Sequence, residues 1–391
     1  MRRGDSGQVG QRLDSLVAGC LTDRALLAVE EVARDGLWEQ MVGHACSAGV
    51  GGAIARQMVE RNVDLPSAAS IQLNSYKQHV AAATTYGLAR TEPALARLQE
   101  AGIPFLVLKG AALNTVLYDG PGLRPMMDVD LLIRPSDAQR ADAALTSFGC
   151  RRGPDLVNED FYPRFYYERE YFLPCRPEVK IDLHVRPFRP LRYAAILPDD
   201  ALWDEPTPVR YGRLMVLIPN VENMLIHLAV HAACHGAGEL KWLHDIKLWL
   251  ERYGDRLDID ELVNKCRKWK LTWPARVALE QVGRLFGESS IYLQRVLDAL
   301  RRQPVGWQDR LALAQCPRDA AHPLAALAVN VLCTPGVRFK LGYLRAVLLP
   351  ARSHLAQLYH GRHPGWPLVA HAVRIGRRLT RRFSRTSAEP A

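Results

Sequence analysis

The sequence lacks most of the features that would assign it quickly. Its eight cysteines (Cys20, Cys46, Cys150, Cys175, Cys234, Cys266, Cys316 and Cys333) include no C-x-x-C pair, which argues against a zinc ribbon or a disulfide scaffold in a chain of 391 residues. Reduced, mostly buried thiols are expected. No apolar run approaches the ~18 residues of a membrane-spanning helix. Met1-Arg2-Arg3 leads into polar Gly4-Asp5-Ser6-Gly7-Gln8 rather than the apolar centre of a secretory signal, so a cytoplasmic location is the expectation. The G-x-x-x-x-G-K-S/T phosphate loop and H-E-x-x-H are both missing, and there is no internal repeat or low-complexity tract. Excess positive charge is also scarce in the body of the chain. Seven arginines against one glutamate after residue 360 supply +6 of the formal +10. A basic nucleic-acid-binding body is therefore disfavoured, and a basic tail remains.

What is present points to an ordinary folded chain. Apolar residues make up 48%, enough for a sizeable core. The length suits two or three domains of ~100–200 residues. Residues 1–102 read as helical. Arg24 to Val32 has apolar residues at helical spacing, and Ser67 to about Arg90 is long and alanine-rich. Pro93 starts a shorter helix with Leu95 and Leu98 inward, and Gly102 stops it. Residues 103–219 change character. Ile103 to Leu108 is a continuous apolar run that reads as a buried strand, and Gly110 opens a helix over Ala111–Tyr118. Asp128 to Ile133 is the next strand, and Pro135-Ser136-Asp137 caps a helix ending at Gly149. Val179 to Val185 alternates as a strand does, and Arg210 to Ile218 reads as one more. Residues 220–360 return to helix, with Asn220 capping Val221–His235 and Lys241–Tyr253 following. Residues 361–391 form the basic tail, suited to peripheral contact with an anionic surface or to solvent.

The chemistry concentrates on two aspartates. Side chains alternate along a strand, so Asp128 and Asp130 share a face. Two carboxylates that close repel each other, and a divalent cation removes the penalty. A third acid on a neighbouring strand would complete a two-metal site, and Asp182, between apolar Ile181 and Leu183, is the natural candidate. Mg²⁺ or Mn²⁺ suits all-carboxylate coordination better than Zn²⁺. Lys109-Gly110 lies upstream: glycine admits a close phosphate, the following helix offers N–H groups, and Lys109 adds a point charge. Arg124 is placed to contact phosphate or to pair with one of these aspartates. His184 shares the Asp182 face and borders the site, as an acceptor contact or a structural hydrogen bond. His227, His231 and His235 share a helix face and read as polar positions at a domain contact. Lys241 and Asp245 are spaced as a helix salt bridge.

Leu108-Lys109-Gly110, Tyr118, Arg124, Asp128-Val129-Asp130-Leu131-Leu132-Ile133, Ile181-Asp182-Leu183-His184 and the stretch His227 to Asp245 resemble the uncharacterised bacterial nucleotidyltransferases of the polymerase-beta-like superfamily. The resemblance implies an α+β fold with a small mixed-sheet core flanked by N-terminal and C-terminal helical regions. It also implies metal ions on Asp128, Asp130 and Asp182, and a nucleoside triphosphate near Gly110. Most members of the wider superfamily carry Gly-Ser at the turn, where this chain has Lys109-Gly110-Ala111.

The resulting expectation is a metal-dependent nucleotidyltransferase. It would move a nucleoside monophosphate from an NTP, ATP foremost, to a small-molecule or peptide acceptor, with nucleic acid as a less favoured acceptor. A phosphotransferase using the same site and a non-catalytic nucleotide-binding or scaffold protein are the alternatives.

Overall fold

The structure, a computed structural model, describes residues 3–153, 161–287, 290–316 and 323–348. The basic tail, 361–391, lies outside them. Five helices come first: α1 (Arg3–Cys20), α2 (Ala25–Arg34), α3 (Trp38–Ser47), α4 (Gly51–Glu60) and α5 (Ser67–Glu100). The mixed region follows as β1 (Leu106–Val107), α6 (Lys109–Val116), β2 (Asp128–Leu132), α7 (Ala138–Ser147), β3 (Arg151–Arg152), α8 (Phe161–Phe165), β4 (Glu168–Phe172), β5 (Lys180–His184), α9 (Leu191–Ile196), β6 (Thr207–Tyr211) and β7 (Leu214–Ile218). Eight helices close the described chain: α10 (Val221–Cys234), α11 (Leu240–Tyr253), α12 (Ile259–Lys268), α13 (Thr272–Phe286), α14 (Ile291–Arg301), α15 (Trp307–Gln315), α16 (Pro323–Cys333) and α17 (Val337–Leu348). The fold class is α+β. All eight cysteines are free thiols, six of them buried. Among the described residues no helix is long and apolar enough to cross a membrane.

The seven strands form one mixed sheet in the order β3-β4-β5-β2-β1-β7-β6. β2 and β5 are parallel neighbours, with Asp128 opposite Lys180, Asp130 opposite Asp182 and Leu132 opposite His184. β4 runs antiparallel on the far side of β5, with Glu170 opposite Asp182 and Glu168 opposite His184. Opposed residues point the same way, so this register sorts the three strands into two unlike faces. Asp128, Asp130, Lys180, Asp182, His184, Glu168 and Glu170 share one face. Val129, Leu131, Ile181, Leu183 and Tyr171 share the other and are fully buried. On that apolar side Tyr171 Oη donates to Asp142 of α7 at 2.7 Å.

Several elements depart from expectation for identifiable reasons. α5 continues through Pro93 as one helix of 34 residues. An interior proline costs about 3 kcal/mol. Leu95 and Leu98 are fully buried, which stabilises the helix by roughly 1.5–3 kcal/mol each. They lie on the same stripe as Leu73, Val80, Thr84 and Thr91, so breaking the helix at the proline would lose more than it relieved. The apolar run 103–108 is buried apart from exposed Pro104, but only Leu106 and Val107 pair as strand. α6 starts at Lys109, two residues early. Residues 207–218 are a hairpin rather than one strand, because Gly212, at φ +59°, opens a two-residue turn between Tyr211 and Leu214. Strands β3 and β4 fall where aromatic and charged residues hid the alternation. Asp137 does not cap α7; its carboxylate accepts instead from Arg140 Nη1 at 2.8 Å. Asn220 does cap α10, accepting from Asn223 N at 2.9 Å.

The N-terminal helices seat the connection between α6 and β2. Gly52, in the first turn of α4, faces the carbonyl of Gly122, and a Cβ added there would lie 1.9 Å from that oxygen. Gly122 itself has φ +96° and would meet the Lys77 carbonyl of α5 at 2.6 Å if it carried a Cβ. Two helices and a loop thus approach through glycines, and the loop runs directly into Arg124 and Asp128. Gly52→Ala should lower stability by about 1–3 kcal/mol through this overlap. Gly43→Ala in α3, with open space around it, should raise stability by about 0.5–1 kcal/mol. Denaturant unfolding of the two variants measures the contrast.

Candidate functional site

The polar face of β2, β5 and β4 forms the floor of a cleft of about 300 Å³, whose opposite wall comes from α10, α11 and the segment after β5. Asp130 and Asp182 are buried, and Asp128 is half-buried at the mouth. Lys109, Gly110, Arg124, Glu168 and His184 also line the cleft. The predicted site residues therefore come together, but several have partners that sequence did not assign.

Lys109 holds Asp130. Its Nζ lies 2.6 Å from Asp130 Oδ1, and its φ of +46° is in the left-handed region a lysine rarely adopts. His184 Nε2 meets the same oxygen at 2.8 Å. Burial alone would raise the Asp130 pKa, but Lys109 and His184 outweigh it and hold the carboxyl well below the usual range. Lys180 serves the other two acids, with Nζ 3.0 Å from Asp182 Oδ2 and 3.6 Å from Asp128 Oδ2, and it also reaches Glu170 Oε1 at 3.1 Å. Asp182 remains under-compensated. Burial, assisted by the charges of Asp128, Glu168 and Asp130, pushes it up to about 8 against the opposing pull of Lys180. Its buried Oδ1 has no hydrogen-bond partner.

Arg124 pairs with none of these aspartates. Its Nε and Nη2 grip Asp245 of α11 at 2.9 and 2.8 Å, and Tyr118 Oη donates to the same carboxylate at 2.7 Å. The pair is almost fully buried, with side-chain exposures of 5% and 0%. Asp245 is thus not the helix partner of Lys241. Gly110 is explained by the same residue, because a Cβ there would sit 2.3 Å from Arg124 Nη1. In this structure the space beside the glycine belongs to a guanidinium.

The cleft wall contains residues that the sequence pattern presents as structural. His231, His235, Lys241 and Trp242 all line it. The Trp242 ring packs against His231 and His235 at centroid distances of 4.7 and 5.0 Å. His227 is set deeper, stacked on Phe188 at 5.7 Å with neither ring nitrogen hydrogen-bonded. Glu168, Glu170 and Lys180 were also missed, although Glu168-Arg169-Glu170 and Lys180-Ile181-Asp182-Leu183-His184 carry the period-two signal that would have placed them on the aspartate face.

Whether a divalent cation suits these residues can be judged from the donors. Asp128, Asp130 and Asp182 offer hard carboxylate oxygens, and Asp182 Oδ1 has no hydrogen-bond partner, so the chemistry of the donors, though not their present arrangement, suits Mg²⁺ or Mn²⁺. Among the described residues no group of three or more His, Cys, Asp or Glu side chains is arranged to hold a metal ion. Lys109 and Lys180 stand among the carboxylates, and a cation bound by Asp128 and Asp182 would have to displace Lys180 from between them.

Residues 35–287 match the sequence model of a family described as an uncharacterised nucleotidyltransferase. No curated protein matches the chain at a significant level. One solved structure similar to it is described as an antigenic nucleotidyltransferase-like protein from Paracoccidioides brasiliensis. It shares 12% identity, with 60% of this chain and 95% of that one covered and a TM-score of 0.30.

Two outcomes test the electrostatics. Asp245→Asn leaves Arg124 buried without its counter-charge and should cost about 3–5 kcal/mol by chemical denaturation. The Arg124→Met, Asp245→Leu double variant should recover much of that loss. His227 is held neutral: burial, with Lys109 and His184 adding, lowers its pKa to about 3. The folded state then binds fewer protons than the unfolded state between about pH 3 and the ordinary histidine value near 6.5. The stability His227 permits is complete above 6.5 and is lost as pH falls through that window. His227→Phe should flatten the acid limb of a plot of thermal midpoint against pH.

Proposed function

From the premise that the chain belongs to the uncharacterised nucleotidyltransferase family, we propose that it transfers the nucleoside monophosphate of ATP to a hydroxyl of a small-molecule or peptide acceptor in this cleft. The observation that carries the reading is the register of β2 and β5, which sets Asp130 beside Asp182 with Asp128 one pleat away, at the floor of the cleft. A cleft of about 300 Å³ is at the lower end of small-ligand sites and favours a compact acceptor over a nucleic-acid duplex. The arrangement of catalytic carboxylates on adjacent strands is also what the polymerase-beta-like superfamily would supply.

In this proposal Asp128, Asp130 and Asp182 would hold Mg²⁺ or Mn²⁺ once Lys180 has moved from between Asp128 and Asp182. The bound cations would neutralise phosphate oxygens and stabilise the charge that develops at the α-phosphorus. The chain's own residues do the rest. Asp182, ionised when a cation offsets the neighbouring acids, would take the proton of the attacking hydroxyl. A bond forms between that oxygen and the α-phosphorus, the bond to the β-phosphate bridging oxygen breaks, and pyrophosphate leaves. His184 and Lys109 orient Asp130 from two sides. The Arg124–Asp245 pair fixes the loop that enters β2, and α10 and α11 keep bulk water from the floor.

One observation favours a second reading. The Lys109 and Lys180 ammonium groups already neutralise much of the acid cluster, which is how a nucleotide-binding or scaffold protein without catalysis would also be stabilised. Incubation with α- and γ-labelled ATP, Mg²⁺ and a panel of hydroxyl-bearing acceptors separates the possibilities. Nucleotidyl transfer places the α-label on the acceptor. A γ-label there identifies a phosphotransferase, and no label with retained Mg²⁺–ATP binding identifies the non-catalytic protein. The Asp128→Asn, Asp130→Asn double variant should lower Mg²⁺-dependent ATP binding at least about tenfold by calorimetry, and unchanged binding would remove these acids from the site.

A further inference from the structure

The cleft contains one lysine that, among the described residues, forms no ion pair. Of the other cations that line it, Lys109 is held by Asp130 and Arg124 by Asp245, and Arg189 is also engaged; Lys180, at the sheet floor, is held by Asp128, Asp182 and Glu170. Lys241 lines the same cleft, half-buried, and among the described residues its ammonium has no ion pair. Its neighbour is the Trp242 ring, 5.8 Å from Nζ to centroid. Burial, with Arg124 adding to it, lowers its pKa against the weaker opposing pull of Asp245, Glu239 and Asp128.

Three further features make this placement unfavourable for an isolated cation. Lys241 lies in the first turn of α11, the positive end of the helix dipole. Its stem is clamped: a Cβ on Gly49 would lie 3.0 Å from Lys241 Cδ and 3.3 Å from Pro125 Cγ, so the lysine passes through a slot that a glycine at φ +76° leaves open. Part of its hydration is lost to Trp242 and the cleft wall. A clamped stem ending in an uncommitted ammonium favours an anionic ligand, because an anion offsets the dipole, the desolvation and the neighbouring Arg124 together.

We propose that Lys241 is the anion seat of the cleft and binds the polyphosphate of the substrate nucleotide, a role for which the sequence had offered Lys109. The proposal rests on the nucleotide-transfer reading above for the identity of the ligand, though not for the existence of the seat. It divides the cleft into two parts: carboxylates on the sheet floor for cations, and Lys241 on the α11 wall for phosphate oxygens.

The test is calorimetric binding of three probes to the full chain: ATP with Mg²⁺, inorganic tripolyphosphate, and adenosine. Lys241→Met should weaken ATP and tripolyphosphate at least about tenfold, as expected for loss of a charge-assisted contact, and leave any adenosine binding unchanged. Lys241→Arg should restore both to within about threefold. Lys247→Met, on the same helix but paired with Glu251 at 2.7 Å, should bind as the parent does. Lys241→Gln serves if the methionine variant does not fold, which its thermal midpoint reports. ATP binding that is indifferent to Lys241 overturns the seat and leaves the nucleotide reading standing. Lys241-dependent tripolyphosphate binding without ATP binding keeps the seat and overturns the nucleotide reading. A parent protein that binds neither polyphosphate overturns the seat.

Discussion

The buried pair of Arg124 and Asp245 is the constraint on which the cleft depends. Arg124 sits in the loop that enters β2, and Asp245 sits on α11, which begins the wall opposite the sheet. An ion pair taken out of water contributes little net stability, but it punishes any arrangement that separates the partners. Tyr118 adds a third grip from the end of α6. Loop, helix and sheet edge can therefore adopt few relative positions. The distance between the carboxylate floor and the Lys241 wall is fixed without any residue having to bridge the cleft.

Charge on the floor follows a different logic. Four acids, Asp128, Asp130, Asp182 and Glu168, face a small volume, and two lysines and a histidine answer them. The compensation is uneven. Asp130 is held by Lys109 and His184, whereas Asp182 shares Lys180 with Asp128 and Glu170. The resulting spread in proton affinity sets chemically identical side chains apart, with Asp130 held ionised and Asp182 pushed towards its protonated form.

The legible part of this site in the sequence was the part governed by local rules. Alternation along Asp128–Ile133 and Val179–Val185 placed three aspartates on two strand faces, and the ladder between β2 and β5 sets Asp130 directly beside Asp182. The Asn220 cap was equally local. What escaped depended on contacts distant in sequence. Asp245 lies far from Arg124 along the chain, so an i,i+4 partner in Lys241 looked more natural. The hairpin at Gly212 was hidden because Tyr211 and Leu214 continue the apolar pattern across the turn. Pro93 would end an isolated helix, yet here it is exposed and the helix is held by the buried stripe on either side of it, Thr91, Ala94, Leu95 and Leu98. His227, His231 and His235, in α10 and at its end, looked like a polar seam, and only the packing of Phe188 and Trp242 shows that one is interior while two border the cleft.

The glycine contacts between α4 and the loop at Gly122 carry an evolutionary consequence. A helix that meets another segment backbone to backbone has no side chain with which to absorb drift. Compensating substitutions, the usual way that packed surfaces diverge together, are not open to it. The N-terminal helices bear no reactive group, yet α4 and the loop leading into Arg124 and Asp128 are bound to change in step or not at all. Around this seam, divergence between related chains should run through their exposed helix faces, with the cleft's geometry inherited as a block.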